Sequence, residues 1–259
     1  MLASALLLDP PWLSLVVIAL VGVVASVINT IAGGGSLLTL PLLVALGLPP
    51  GLANGTNRIG VVMQVVTSAI TFHRGGFRDY RLFARLVFPM MLGALAGAGL
   101  ATHMDDELLR VVFGAMLAAW AVLLVVRPGR FLHAPPEPRP VGPLALVLSL
   151  LVGVYGGFLQ AGVGFPLLAL LVLYLGYPAV EANATKSALT LGYTLVSLPM
   201  FVIAGQVAWR EGLVLAVGST LGGWIGTRLQ IRAGANLVRW VVVIAVAASG
   251  VAMLVDALG

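Results

Sequence analysis

Residues 32–58 read AGGGSLLTLPLLVALGLPPGLANGTNR, and residues 161–187 read AGVGFPLLALLVLYLGYPAVEANATKS. One interval relates them. Ala161 stands 129 places after Ala32, and the same spacing pairs Gly33 with Gly162, Gly35 with Gly164, Gly47 with Gly176 and Pro49 with Pro178. It pairs Ala53-Asn54 with Ala182-Asn183 and Thr56 with Thr185. Further on it pairs Phe72 with Phe201, Gly76 with Gly205, Gly93 with Gly222, Gly97 with Gly226 and Arg110 with Arg239. Glycine and leucine coincide by chance in a chain of this kind, but a repeated Ala-Asn-x-Thr does not follow from composition. A fixed interval kept without a gap over such a length reads as an internal duplication.

Composition identifies the solvent. Of 259 residues, 60% are hydrophobic and 9% are charged, and the mean hydropathy is +1.09. A soluble domain carries roughly 25% charged residues to cover its surface, so this chain is built for hydrocarbon. Without cysteine it has no disulfides, thiolate metal sites or cysteine catalysis. The basic excess is too scattered for a nucleic-acid-binding face and reads instead as a topology signal.

A membrane-spanning helix needs about 20 apolar residues. Eight segments qualify: Trp12–Ile31, Gly55–Phe72, Leu82–Ala101, Leu108–Val126, Pro143–Leu159, Ala184–Ala204, Leu213–Leu229 and Leu237–Val255. The first follows Asp9, Pro10 and Pro11 with no basic run before it, which predicts a retained span rather than a cleaved signal. Ser36–Leu48 and Phe165–Leu175 are too short to cross comfortably, and each follows a glycine cluster. Such pieces are expected as half-helices or re-entrant segments, since irregular backbone at membrane depth survives only when packed in protein or facing water.

Charge gives the sidedness. Arg74, Arg78, Arg81 and Arg85 follow the second span, Arg127, Arg130 and Arg139 lie in a proline-rich linker, and Arg228, Arg232 and Arg239 separate the last two spans. These are ten of the fourteen basic residues, and the positive-inside rule places all three linkers in the cytoplasm. The linker at Asp105, Asp106 and Glu107 is then outside, as are both termini. The arginine-rich linker after Phe72 is inside while its repeat partner near Arg210 is outside, so the halves are inverted. The expected organisation is all-α and polytopic: an N-terminal repeat (residues 1–127), a cytoplasmic linker (128–142) and an inverted C-terminal repeat (143–259). Inverted repeats with broken helices are a recurring plan of secondary transporters, whose substrate sits where the breaks meet.

The candidate binding residues follow from that plan. Gly33, Gly34, Gly35 and Ser36, with Gly162 and Gly164, mark the breaks; a helix start after uncovered amides favours an anion. Asn54, Thr56, Asn57 and Arg58, with Asn183, Thr185 and Lys186, form two polar tetrads with cations at the head of long apolar helices. Charge at membrane depth is costly and is normally functional. Asn29, Gln64 and Gln160 are further polar residues within apolar segments, and Glu181 is a nearby carboxylate expected at the surface. The glycine pairs Gly93/Gly97 and Gly222/Gly226 are expected to pack helices. His73, His103 and His133 all fall in linkers. With no Walker A sequence and no catalytic set, neither enzymatic activity nor a metal or other cofactor is expected.

The stretch Ala32 to Pro41 (AGGGSLLTLP), followed by Ala53 to Arg58 (ANGTNR) and a weaker copy of both, resembles the sulfite exporter TauE/SafE family across essentially the whole chain. The resemblance implies an inner-membrane carrier for sulfite, sulfonates or related organosulfur anions. The chain departs from the pattern at its second cluster, Gly-Val-Gly rather than a glycine triplet, which implies a looser grip there or a gating role. Expected partners are a small anion and the lipid bilayer, not nucleic acid, with a homo-oligomer left open. The competing readings are a channel-like anion facilitator and a membrane scaffold subunit that transports nothing.

Overall fold

The computed structural model describes residues 11–126 and 139–258. Its elements are the helices α1 (Pro11–Ile31), α2 (Ser36–Ala45), α3 (Pro50–Arg74), α4 (Tyr80–His103), α5 (Asp106–Val126), α6 (Pro143–Phe158), α7 (Gly164–Leu168), α8 (Ala179–Ile203) and α9 (Trp209–Leu258), with α7 continuing as a π-helical stretch, Ala169–Tyr174. No strand occurs among the described residues. Most of the proline-rich linker, including Arg127, Arg130 and His133, lies outside them.

Helix starts follow local chemistry. Both α3 and α8 are 25 residues long and begin directly after a proline, Pro49 or Pro178; proline fits at a helix start, where an amide would have no intrahelical partner. Asp79 caps α4 by accepting from Leu82 N at 2.9 Å, and Asp105 does the same for α5 through Leu108 N at 2.8 Å. Both satisfy an orphan donor and place negative charge at a positive helix end. Asp106 also accepts from Gly51 N at 2.8 Å, tying the head of α3 to that of α5.

The 129-residue spacing recurs in the backbone. The described glycines with positive φ are Gly33, Gly47, Gly76, Gly162, Gly176 and Gly205, three pairs at that interval. The expected short segments are α2 and the α7–π stretch.

Packing mixes the halves. α4 lies along α6, and α1 along α9, in both cases through glycine. A Cβ on Gly97 would come within 2.0 Å of Val154 O, and one on Gly222 within 2.3 Å of Val23 O. The small-residue pairs are thus helix-packing sites, as expected. The main core gathers Leu86, Met90 and Ala94 of α4 with Leu167, Leu171 and Tyr193. The outward faces are apolar, with Leu20 61%, Phe88 66% and Val217 72% exposed, whereas the polar groups lie inside. That arrangement inverts a water-soluble protein and suits a hydrocarbon surround.

Three described helices are long and apolar enough to cross a membrane: Trp12–Ile31, Tyr80–His103 and Ala179–Ile203. The most visible departure from the sequence reading is α9, a single helix of 50 residues. It runs through the arginine-bearing stretch expected to be a linker between Leu213–Leu229 and Leu237–Val255. The stretch contains Gly234 but no proline, and one glycine costs a helix only about 1 kcal/mol. At 1.5 Å per residue such a helix is about 75 Å long, more than twice the roughly 30 Å hydrocarbon core of a bilayer.

Candidate functional site

The site begins with two helix ends. α1 ends at Ile31 ahead of Gly33, and α6 ends at Phe158 ahead of Gln160 and Gly162. A helix ending inside the protein leaves carbonyl oxygens without intrahelical partners and the negative end of its dipole exposed. The tetrads supply what is missing. Lys186 Nζ donates to Asn29 O at 2.8 Å and to Thr30 O at 3.0 Å, and Asn183 Nδ2 donates to Ile31 O at 3.1 Å. At the other break, Arg58 donates to Gly156 O at 3.2 Å, Gly157 O at 2.5 Å, Phe158 O at 3.5 Å and Ser197 Oγ at 2.9 Å. Asn54 Nδ2 donates to Phe158 O at 2.7 Å, and the Arg58 guanidinium lies 4.2 Å from the Phe201 ring centre. The cation and asparagine of each half cap the broken helix of the other.

The breaks themselves touch. A Cβ on Gly33 would fall 2.5 Å from Gly164 Cα, and one on Gly164 would fall 2.1 Å from Gly33 Cα. Beside this contact is a narrow cleft with a free volume of about 10 Å³, room for roughly one water molecule. Six of the candidate residues line it: Asn29, Ser36, Gln64, Gln160, Gly164 and Lys186. Asn29 donates to Gln64 Oε1 at 2.7 Å, Gln64 donates to Thr30 Oγ1 at 3.1 Å, and Asn57 donates to Ser36 Oγ at 3.2 Å. The lining side chains are therefore held in place by their neighbours.

The electrostatics are one-sided. Among the described residues the buried charged side chains are Arg58 and Lys186, with no buried carboxylate. Lys186 reaches the cleft, whereas Arg58 does not line it. An ammonium has three N–H donors, and two of those on Lys186 are committed to carbonyls. Glu181 is exposed, as expected, and borders an outer cavity with Arg78 and Asp79.

Other candidates are placed elsewhere. Asn54 and Asn183 cap the breaks. Thr56 donates to Leu52 O at 2.6 Å and accepts from Ala208 N at 2.9 Å, fastening α3 to the head of α9. Thr185 borders the outer cavities of about 180 and 370 Å³ beside the α3–α4 turn. The glycine amides form no open cradle at Gly33 and Gly35: Gly33 N donates to Ile28 O and Gly35 N to Asn29 Oδ1, both at 3.3 Å. Gly34 packs on the Phe165 ring, and Gly162 contributes the sharp turn at φ 70°.

Five lining residues were not among the candidates: Val61, Val65, Val163, Ser187 and Thr190. Val163 occupies the middle of the second glycine cluster and gives the cleft an apolar wall. Ser187 and Thr190 belong to a buried polar stripe on α8, Asn183-Ser187-Thr190-Thr194-Ser197. Its alternating spacing of four and three marks one helix face; the signal was present in the sequence.

The family described as "Sulfite exporter TauE/SafE" matches residues 18–253. The chain belongs to this family. Among its curated relatives, the "Probable membrane transporter protein YfcA" of Escherichia coli (strain K12) is 30% identical over 247 residues, covering 94% of this chain and 90% of the relative. A "Probable membrane transporter protein" of Haemophilus influenzae is 28% identical over 230 residues, 89% of this chain and 90% of that one. The "Probable membrane transporter protein YjnA" of Bacillus subtilis (strain 168) is 24% identical over 253 residues, 89% and 96% of the two chains. No solved structure matches the chain significantly. The TauE/SafE match and these relatives make the protein a probable membrane transporter, in keeping with its apolar helices.

Proposed function

We propose that the protein is a secondary transporter of the inner membrane that exports a small sulfur-containing oxyanion, such as sulfite or an organosulfonate. The observation that carries this reading is Lys186: a buried ammonium lining the cleft between two helix breaks, with no buried carboxylate among the described residues. Uncompensated buried charge is costly, and an anion in the cleft would offset it. An inside-negative potential contributes about 2.3 kcal/mol per charge per 100 mV toward expelling an anion, so export needs no coupled proton.

Transport would proceed by alternating access between two inverted repeats. The paired positive-φ glycines and the reciprocal caps support that symmetry. In this reading both termini face the periplasm, which requires α9 to fold back near Arg228, Arg232 and Arg239 in the bilayer. A straight α9 would carry Leu237–Val255 out of the hydrocarbon, where so long an apolar run is unfavourable.

The test is reconstitution into liposomes with an imposed potential, measuring flux of sulfite, methanesulfonate and a cation control. Potential-driven anion flux is expected. Movement of cations or neutral solutes alone would overturn the reading.

A further inference from the structure

Gln160 is the described non-glycine residue with positive φ, at 62°. Side chains other than Gly, Asn and Asp seldom tolerate that conformation, and such strain tends to sit at functional sites. It is 1% exposed and lines the cleft. Its Nε2 donates to Thr194 Oγ1 at 3.1 Å, while its Oε1 has no hydrogen-bond partner. A buried amide oxygen without a donor is an unmet demand, and Gln160 lines the same small cleft as Lys186.

The two groups ask for different things. Lys186 brings one positive charge, and two of its three donors already serve Asn29 O and Thr30 O. Arg58, the other buried cation, does not line the cleft. Gln160 Oε1 can only accept, so it repels a bare oxyanion oxygen and welcomes one that carries hydrogen. A dianion would bring a second charge with no cation to meet it and a bare oxygen to set against the amide carbonyl.

Resting on the anion-transport reading, we infer that the cleft selects a singly charged oxyanion that still carries a proton, which Gln160 Oε1 accepts, and rejects the corresponding dianion. For sulfite the transported species is then hydrogen sulfite, and one charge crosses per anion.

The experiment is ligand-induced thermal stabilisation of the purified full-length protein in detergent. Sulfite, sulfate and methanesulfonate are titrated at two pH values on either side of the second ionisation of sulfurous acid. Methanesulfonate keeps one charge at both and corrects for titration of the protein. The sulfite affinity, normalised to methanesulfonate, is expected to fall in proportion to the lost monoanion, with sulfate at least about tenfold weaker than hydrogen sulfite. Q160N, which tolerates positive φ but withdraws the carbonyl by one methylene, is expected to weaken sulfite about tenfold, the scale of one lost hydrogen bond, and methanesulfonate less. Normalised sulfite affinity that holds or rises as the monoanion disappears, or sulfate binding as tightly as sulfite, overturns the inference while leaving anion transport standing. Binding of none of the three anions overturns both.

Discussion

Lys186 Nζ lies 2.8 Å from the carbonyl oxygen of Asn29, so a cation from the second half of the chain holds the end of a broken helix in the first. Arg58 holds the opposite break through Gly156, Gly157 and Phe158. The two cations nevertheless differ in what else they face. Lys186 borders the cleft, and Arg58 is 0% exposed among carbonyls, Ser197 and Phe201.

Lys186→Met and Arg58→Met should therefore separate function from folding. Methionine keeps much of the apolar stem. Lys186→Met is expected to abolish anion flux in liposomes while the protein still purifies as a folded monodisperse species. Arg58→Met strips charge-assisted bonds from three carbonyls and a hydroxyl, a loss of about 3 kcal/mol or more. Thermal unfolding in detergent should show the larger fall for Arg58→Met.

Asn54 and Asn183 make equivalent caps, to Phe158 O and Ile31 O. Replacing either with alanine removes a close donor from a buried carbonyl, leaving Phe158 O only the 3.5 Å bond from Arg58, and is expected to cost about 1–3 kcal/mol. Because the two breaks touch at Gly33 and Gly164, the double variant is expected to depart from the sum of the single costs by about 0.5 kcal/mol or more. Unfolding midpoints of the two single variants and the double variant measure this.

Gly33 and Gly164 meet backbone to backbone, and a Cβ on either would intrude to 2.5 or 2.1 Å from the other's Cα. Gly164→Ala must push the breaks apart. Transport should fall by more than tenfold, with a measurable loss of stability, because overpacking typically costs about 1–3 kcal/mol. Gly47→Ala is the control: its Cβ meets nothing within 4 Å, and its positive φ alone would be strained. It should lower stability with little effect on flux.

The C-terminus reports on α9. If the helix folds back in the bilayer near Arg232, a C-terminal fusion to a reporter active only in the periplasm will score positive. A fusion placed after Arg232 will score negative. A negative score at the C-terminus would mean that α9 does not return to the periplasm, and the proposed sidedness of that end would be wrong.

The polar candidates were legible because polar groups in an apolar chain stand out. Asn29, Gln64, Gln160 and Lys186 were found that way, and all four line the cleft. The apolar walls, Val61, Val65 and Val163, could not be found that way, since a valine facing a cleft is indistinguishable in sequence from one facing lipid. Arg58 was legible as a buried charge but not as a cap.

The sequence by itself determined the solvent, the 129-residue repeat and the sharp turns at Gly33 and Gly162, because each depends on composition or on neighbours a few residues away. Only the tertiary structure decided whose carbonyls each cation serves. Lys186 and Asn29 are 157 residues apart, and the bond between them exists because α8 packs beside the end of α1. No local preference encodes that pairing; it follows from burying two helix breaks together, where every exposed carbonyl must find a donor.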